Sequence, residues 1–125
     1  MHIFTLDTNA IIYYLKGDKK SSHYLEEILR GSSSIYISTI TEVELFGYPK
    51  ITEEEAFQIE KILETISIIP VDSKIARMAG RIRQFYKLKT ADSVIAATAL
   101  FTGSVLATRN IKDFTKVIDL KVKEI

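Results

Sequence analysis

The sequence predicts a three-layer α/β/α domain: a doubly wound, mainly parallel sheet of four to five strands with helices on both faces. Three observations point there. Short β-prone apolar runs recur at residues 3–6, 35–37, 68–71 and 104–107. One or two helical patterns separate each run from the next, which is the βαβ arrangement of a parallel sheet. Acidic and amide side chains fall just after strands or in the first turns of helices, at the edge where such sheets bind ligands.

In chain order, the run IFTL is followed at once by Asp7-Thr8-Asn9 and then by Ala10-Ile11-Ile12. A helix over 9–15, ended by Gly17, is expected there. Asp7 has two readings at this point: an N-cap for that helix, or a functional carboxylate beyond the strand. Tyr24, Leu25, Ile28 and Leu29 recur at helical spacing before Gly31, and suit a core face or a partner surface. After the second strand, Thr39 and Glu42 stand in capping-box register. At about 100° per residue Ile40, Val43 and Gly47 share a face, and Glu44 falls within it. A carboxylate on a buried face calls for a partner or a metal.

Thr52 and Glu55 form a second capping box, ahead of Ala56, Ile59, Leu63 and Ile66. Asp72 caps a long helix whose core positions are Ile75, Ala79, Ile82 and Tyr86. Beside them Lys74, Arg77 and Arg81 make a basic ridge, either solvated surface or phosphate contact. Thr90 opens the segment ADSVIAATAL, which has no charge after Asp92 and is expected to be buried nearly all round. Asp92 is explained equally by the helix dipole and by a place at the strand-end cleft. Gly103 ends this helix. Residues 108–114 are expected as a polar turn, with Asn110 or Asp113 as a turn or cap residue. One or two further strands fit 117–118 and 122–125.

The 125 residues suffice for one domain, 1–125, with a substantial core. No cysteine is present, which excludes disulfides, thiolate metal sites and a cysteine nucleophile, and suits a cytoplasmic location. No signal segment or membrane span is indicated. His2 and His23 sit in no triad pattern, and glycine-rich phosphate loops are absent. What remains is a set of acids, Asp7, Glu44, Asp92 and Asp113, gathered without histidine or cysteine. Such a set is a hard-oxygen site suited to Mg²⁺ or Mn²⁺. Such ions activate water and steady charge on a phosphodiester.

The stretches LDTNAII, ISTITEVELFG, KTADSVIAATAL and LATRNIKDF resemble, in order and spacing, those of PIN domains and specifically of VapC-type toxins. The resemblance implies a Mg²⁺- or Mn²⁺-dependent endoribonuclease, a cytoplasmic homodimer, held inactive by a VapB-type antitoxin. By position it makes Asp7, Glu44 and Asp92 the metal-binding acids, with Thr8 and Asn9 in support. The sequence departs from the family at Asn110, where an Asp is common, leaving Asp113 as the fourth acid and Asn110 as a ligand through water. Thr108 belongs to the same support, and Arg109, Arg77 and Arg81 are candidate phosphate contacts. The RNA target is open between transfer, ribosomal and messenger RNA. Two other functions compete: a PIN-like scaffold that binds RNA or a partner without cutting, and a phosphoacceptor receiver-like domain.

Overall fold

A computed structural model describes residues 3–31 and 34–125. Five strands form one parallel sheet: β1 (Ile3–Leu6), β2 (Ser34–Ser38), β3 (Ser67–Ile69), β4 (Val105–Thr108) and β5 (Val122–Glu124). Their order across the sheet is β3-β2-β1-β4-β5. The chain therefore winds outward from β1 in one direction and resumes at β4 in the other, which places the topological switch between β1 and β4. A receiver-like domain has the doubly wound order 2-1-3-4-5, so that alternative falls on topology.

Seven helices cover the sheet among the described residues: α1 (Thr8–Leu15), α2 (Lys19–Gly31), α3 (Thr39–Phe46), α4 (Glu53–Leu63), α5 (Ser73–Tyr86), α6 (Thr90–Thr102) and α7 (Ile111–Phe114). Two apolar clusters give the three layers. Leu6, Ile11, Leu25, Ile28, Ile37, Ile59 and neighbours pack on one side. Ile75, Ala79, Ile82, Ile95, Leu106 and Phe114 pack on the other. Helix α6 is the central element: Ser93 to Ala99 are all buried, as expected of a helix without charge after its first turn. Gly103 ends it at φ 65°, in the left-handed region that glycine enters without a Cβ penalty.

The capping signals were mostly legible. Thr52 and Glu55 close a reciprocal capping box on α4, and Asp72 accepts from the Ile75 amide at 2.9 Å. The expected Thr39–Glu42 box does not form. Ser38 caps α3 instead, accepting from the Ile40 amide, while Thr39 Oγ1 accepts from the Val71 amide beyond β3. Strand β2 runs one residue further than expected, and this moves the cap. Val71 lies outside β3, and 117–118 form no strand, with Ile118 largely exposed. Helix α2 begins at Lys19, well before its apolar stripe, and Leu25 and Ile28 are core. Thr108 is the last residue of β4 and 111–114 form α7, where a turn was expected over 108–114. No helix among the described residues is long and apolar enough to cross a membrane.

Candidate active site

At the switch point, Asp7 follows β1 and Thr108 ends β4. The Asp7 amide pairs with the Ala107 carbonyl at 3.1 Å, so the sheet ladder itself delivers the side chain to the β1–β4 crevice. Asp7 is 3% exposed. It occupies the N-cap position of α1, but its carboxylate makes no capping hydrogen bond. It accepts instead from the Thr108 hydroxyl at 2.7 Å. Asp7 therefore caps α1 through its backbone carbonyl alone, which accepts from the Ala10 amide at 3.0 Å, and its side chain is turned to Thr108.

Burial pushes the Asp7 carboxyl up from the usual 3.8 to about 6. The Thr108 hydroxyl pulls it back, and the charges of Asp92 and Glu44 raise it further. Asp92 is half-buried in the first turn of α6; desolvation raises its carboxyl, Glu44 and Asp113 add to the rise, and Lys89 opposes it. The four acids therefore share one electrostatic neighbourhood. Among the described residues, no three acid or histidine side chains stand ready-grouped to hold a metal ion as they are arranged.

Glu44 reaches this neighbourhood by a route the sequence did not reveal. The expected buried face of α3 is wrong: Val43 is 65% exposed and Glu44 is exposed, while Thr41 and Leu45 are buried. Helix α3 is two turns long and spans the two clusters, giving Leu45 to one and Ile40 to the other. A single apolar stripe therefore does not describe it. Glu44 is held from outside, by the Thr8 hydroxyl at 2.6 Å. Thr8 is buried and also lies 3.2 Å from the Thr41 hydroxyl, a residue that the sequence reading did not single out. An i, i+4 pairing of Thr41 with Leu45 was its only signal.

The loop after β4 completes the cluster. Asn110 accepts nothing from α7 as a cap; its amide donates to Asp113 Oδ2 at 3.1 Å, and Lys116 pairs with the other oxygen at 3.6 Å. The Asn110 backbone amide donates to Thr108 Oγ1 at 2.9 Å. Arg109 is ion-paired with Asp18 and lies over the Tyr13 ring at 4.2 Å from its centroid. Asn9 is exposed, as are Arg77 and Arg81 on α5. His23 sits exposed on α2 beside Glu27, and His2 lies outside the described residues.

The parallel sheet, with a buried carboxylate and neighbouring acids at its switch point, makes this an α/β domain with an acidic crevice. The chain belongs to the PIN domain family, whose model matches residues 4–120. Within that family it is similar to Ribonuclease VapC1 of Haemophilus influenzae, 30% identical over 95% of each chain. Its fold is similar to that of a DNA-bound VapBC structure from Salmonella typhimurium, with TM-score 0.83 and 27% identity over 99% of this chain and 98% of that one. A toxin–antitoxin complex from Klebsiella pneumoniae gives TM-score 0.79 and 32% identity over 97% and 98%.

Proposed function

We propose that this protein is the toxin of a toxin–antitoxin pair, an endoribonuclease that hydrolyses RNA phosphodiesters with Mg²⁺ or Mn²⁺. The observation that carries the proposal is Asp7: a buried carboxylate, without an ion-pair partner among the described residues, in the field of two further acids. An arrangement of this kind is costly unless a cation offsets it. The relatives named above support RNA as substrate and an antitoxin as partner.

The donor chemistry fits a hard divalent ion, since carboxylates prevail, the chain has no cysteine, and among the described residues no imidazole joins them. Asp7, Glu44 and Asp92 would hold it, with Asp113 the fourth acid. Bound there, the ion supplies an activated water and offsets charge on the phosphodiester. The chain's own residues do the positioning. Thr108 fixes one oxygen of Asp7, Thr8 fixes Glu44, and the Asn110 amide fixes Asp113. Asn110 adds no charge where the family often has an acid, so the Asp113 side of the site carries the weaker claim on a metal. Arg77 and Arg81 are exposed and open to RNA phosphates. A homodimer in the cytoplasm, covered by its antitoxin, completes the proposal.

Incubating the purified protein with end-labelled RNA tests it. Cleavage is expected with Mg²⁺ or Mn²⁺, absent in EDTA, and lost at least 100-fold in Asp7→Asn. Full cleavage in EDTA, or by that variant, would refute the assignment. Binding of RNA or antitoxin without any cleavage would favour the scaffold.

A further inference from the structure

We propose that Arg109 is a positioning residue, which locks the β4 end against the corner between α1 and α2 and thereby holds the Thr108 hydroxyl on Asp7. The proposal rests on the nuclease function above and names a residue on which that function depends. Three consecutive residues leave β4, and each fastens a different part of the site. Thr108 donates to Asp7, Arg109 pairs with Asp18, and Asn110 donates to Asp113.

Asp18 is suited to be the fixed end of such a lock. Its Oδ2 accepts from the Ser21 amide at 3.0 Å, in the first turn of α2, and its own amide donates to the Tyr13 carbonyl at 3.0 Å, at the end of α1. Its carboxyl is held below the ordinary value, first by the Ser21 amide and then by Arg109. The acceptor is therefore an anion already tied to two helices. The guanidinium that meets it also lies on the Tyr13 ring, so its plane as well as its charge is fixed. Arg109 is about one-third exposed, and its Nε is buried.

An arginine so engaged is poorly placed to grip phosphate, because leaving Asp18 and Tyr13 forfeits both contacts. Its effect on chemistry would run through the backbone. Arg109 sits between Thr108 and Asn110, whose amide donates to Thr108 Oγ1. That bond fixes the hydroxyl whose proton points at Asp7. Release of Arg109 frees the loop and lets Thr108 turn, leaving Asp7 without its orienting donor.

The test compares wild type, Arg109→Ala, Asp18→Asn, the double variant and Arg109→Lys. Asn keeps the cap on α2 while removing the charge. If Arg109 positions, kcat for a labelled RNA falls about tenfold in each single variant. KM and the salt dependence of RNA binding stay unchanged, and the double variant is no worse than either single. Arg109→Lys recovers only part, since an ammonium lacks the plane that lies on Tyr13. If Arg109 grips phosphate instead, Arg109→Ala raises KM and lowers the salt slope by about one. Asp18→Asn then tightens RNA binding, and the proposal is overturned.

Hydrogen exchange reads the same lock without any RNA. The Asn110 amide should exchange faster in Arg109→Ala and in Asp18→Asn than in wild type. Unchanged exchange overturns the lock even if the enzyme cleaves RNA. Faster exchange in a wild-type background that cuts no RNA keeps the lock and sinks the nuclease function alone.

Discussion

With its carboxylate buried behind β1, Asp7 holds a proton more readily in the folded chain than in the unfolded one. Without metal, the associated stability is fully present below pH ~4, the unfolded value, and is lost as pH rises through about 6. The loss is roughly 3 kcal/mol by pH 7. Urea titrations in EDTA should therefore show the metal-free protein more stable at pH 5 than at pH 7. Asp7→Asn should remove most of that slope and raise Tm at pH 7 by a few degrees while destroying cleavage. A variant less stable than wild type at pH 7 would mean the Asp7 charge is compensated within the chain. Thr108→Val should push the Asp7 carboxyl up further, visible in its ¹³C titration, because the opposing hydrogen bond is gone. The sequence singled out Asp7, Glu44 and Asp92, and the structure brings those three into one electrostatic neighbourhood. Thr8 and Thr108 were expected in support through the family resemblance, but which acid each one holds was not legible, because the two hydrogen bonds span 36 and 101 residues.

At the scale of the element, α3 shows where periodicity stops informing. A two-turn helix with apolar residues at Ile40, Val43, Leu45 and Phe46 offers more than one face, and only tertiary packing chooses. Leu45→Ala should cost about 2–5 kcal/mol in urea unfolding, as a fully buried side chain does. Val43→Thr should fall within about 0.5 kcal/mol, and the reverse ranking would restore the face first drawn from the sequence. Elements fixed by local chemistry were read correctly. The Thr52–Glu55 box is one, and Thr52→Ala should cost about 1 kcal/mol without touching RNA cleavage, since it lies on α4 away from the acids. Helix α6 is another, because a run of ten residues with one charge can only be central. The Thr39 box failed for a non-local reason, as Thr39 was taken by the Val71 amide.

For the molecule as a whole, the alternation of strands and helices announced a parallel, doubly wound sheet, while the order β3-β2-β1-β4-β5 came only with the structure. Sequence could place acids after strands. It could not say that β1 and β4 are neighbours, and that adjacency is what joins residue 7 to residue 108. The same topology leaves Asp7 within reach of Asp92 and Glu44, and Asp92 within reach of Asp113, with Lys89 and Lys116 only at the Asp92 and Asp113 end. The proposed divalent cation would offset that imbalance. Calorimetric titration of the metal-free protein with Mn²⁺ at pH 7 puts the question directly. The account predicts saturable binding to wild type that weakens as pH falls below about 6 and Asp7 takes up its proton, and binding weakened at least tenfold in Asp7→Asn. Equal heats from wild type and Asp7→Asn, or none from wild type with or without RNA, would contradict it.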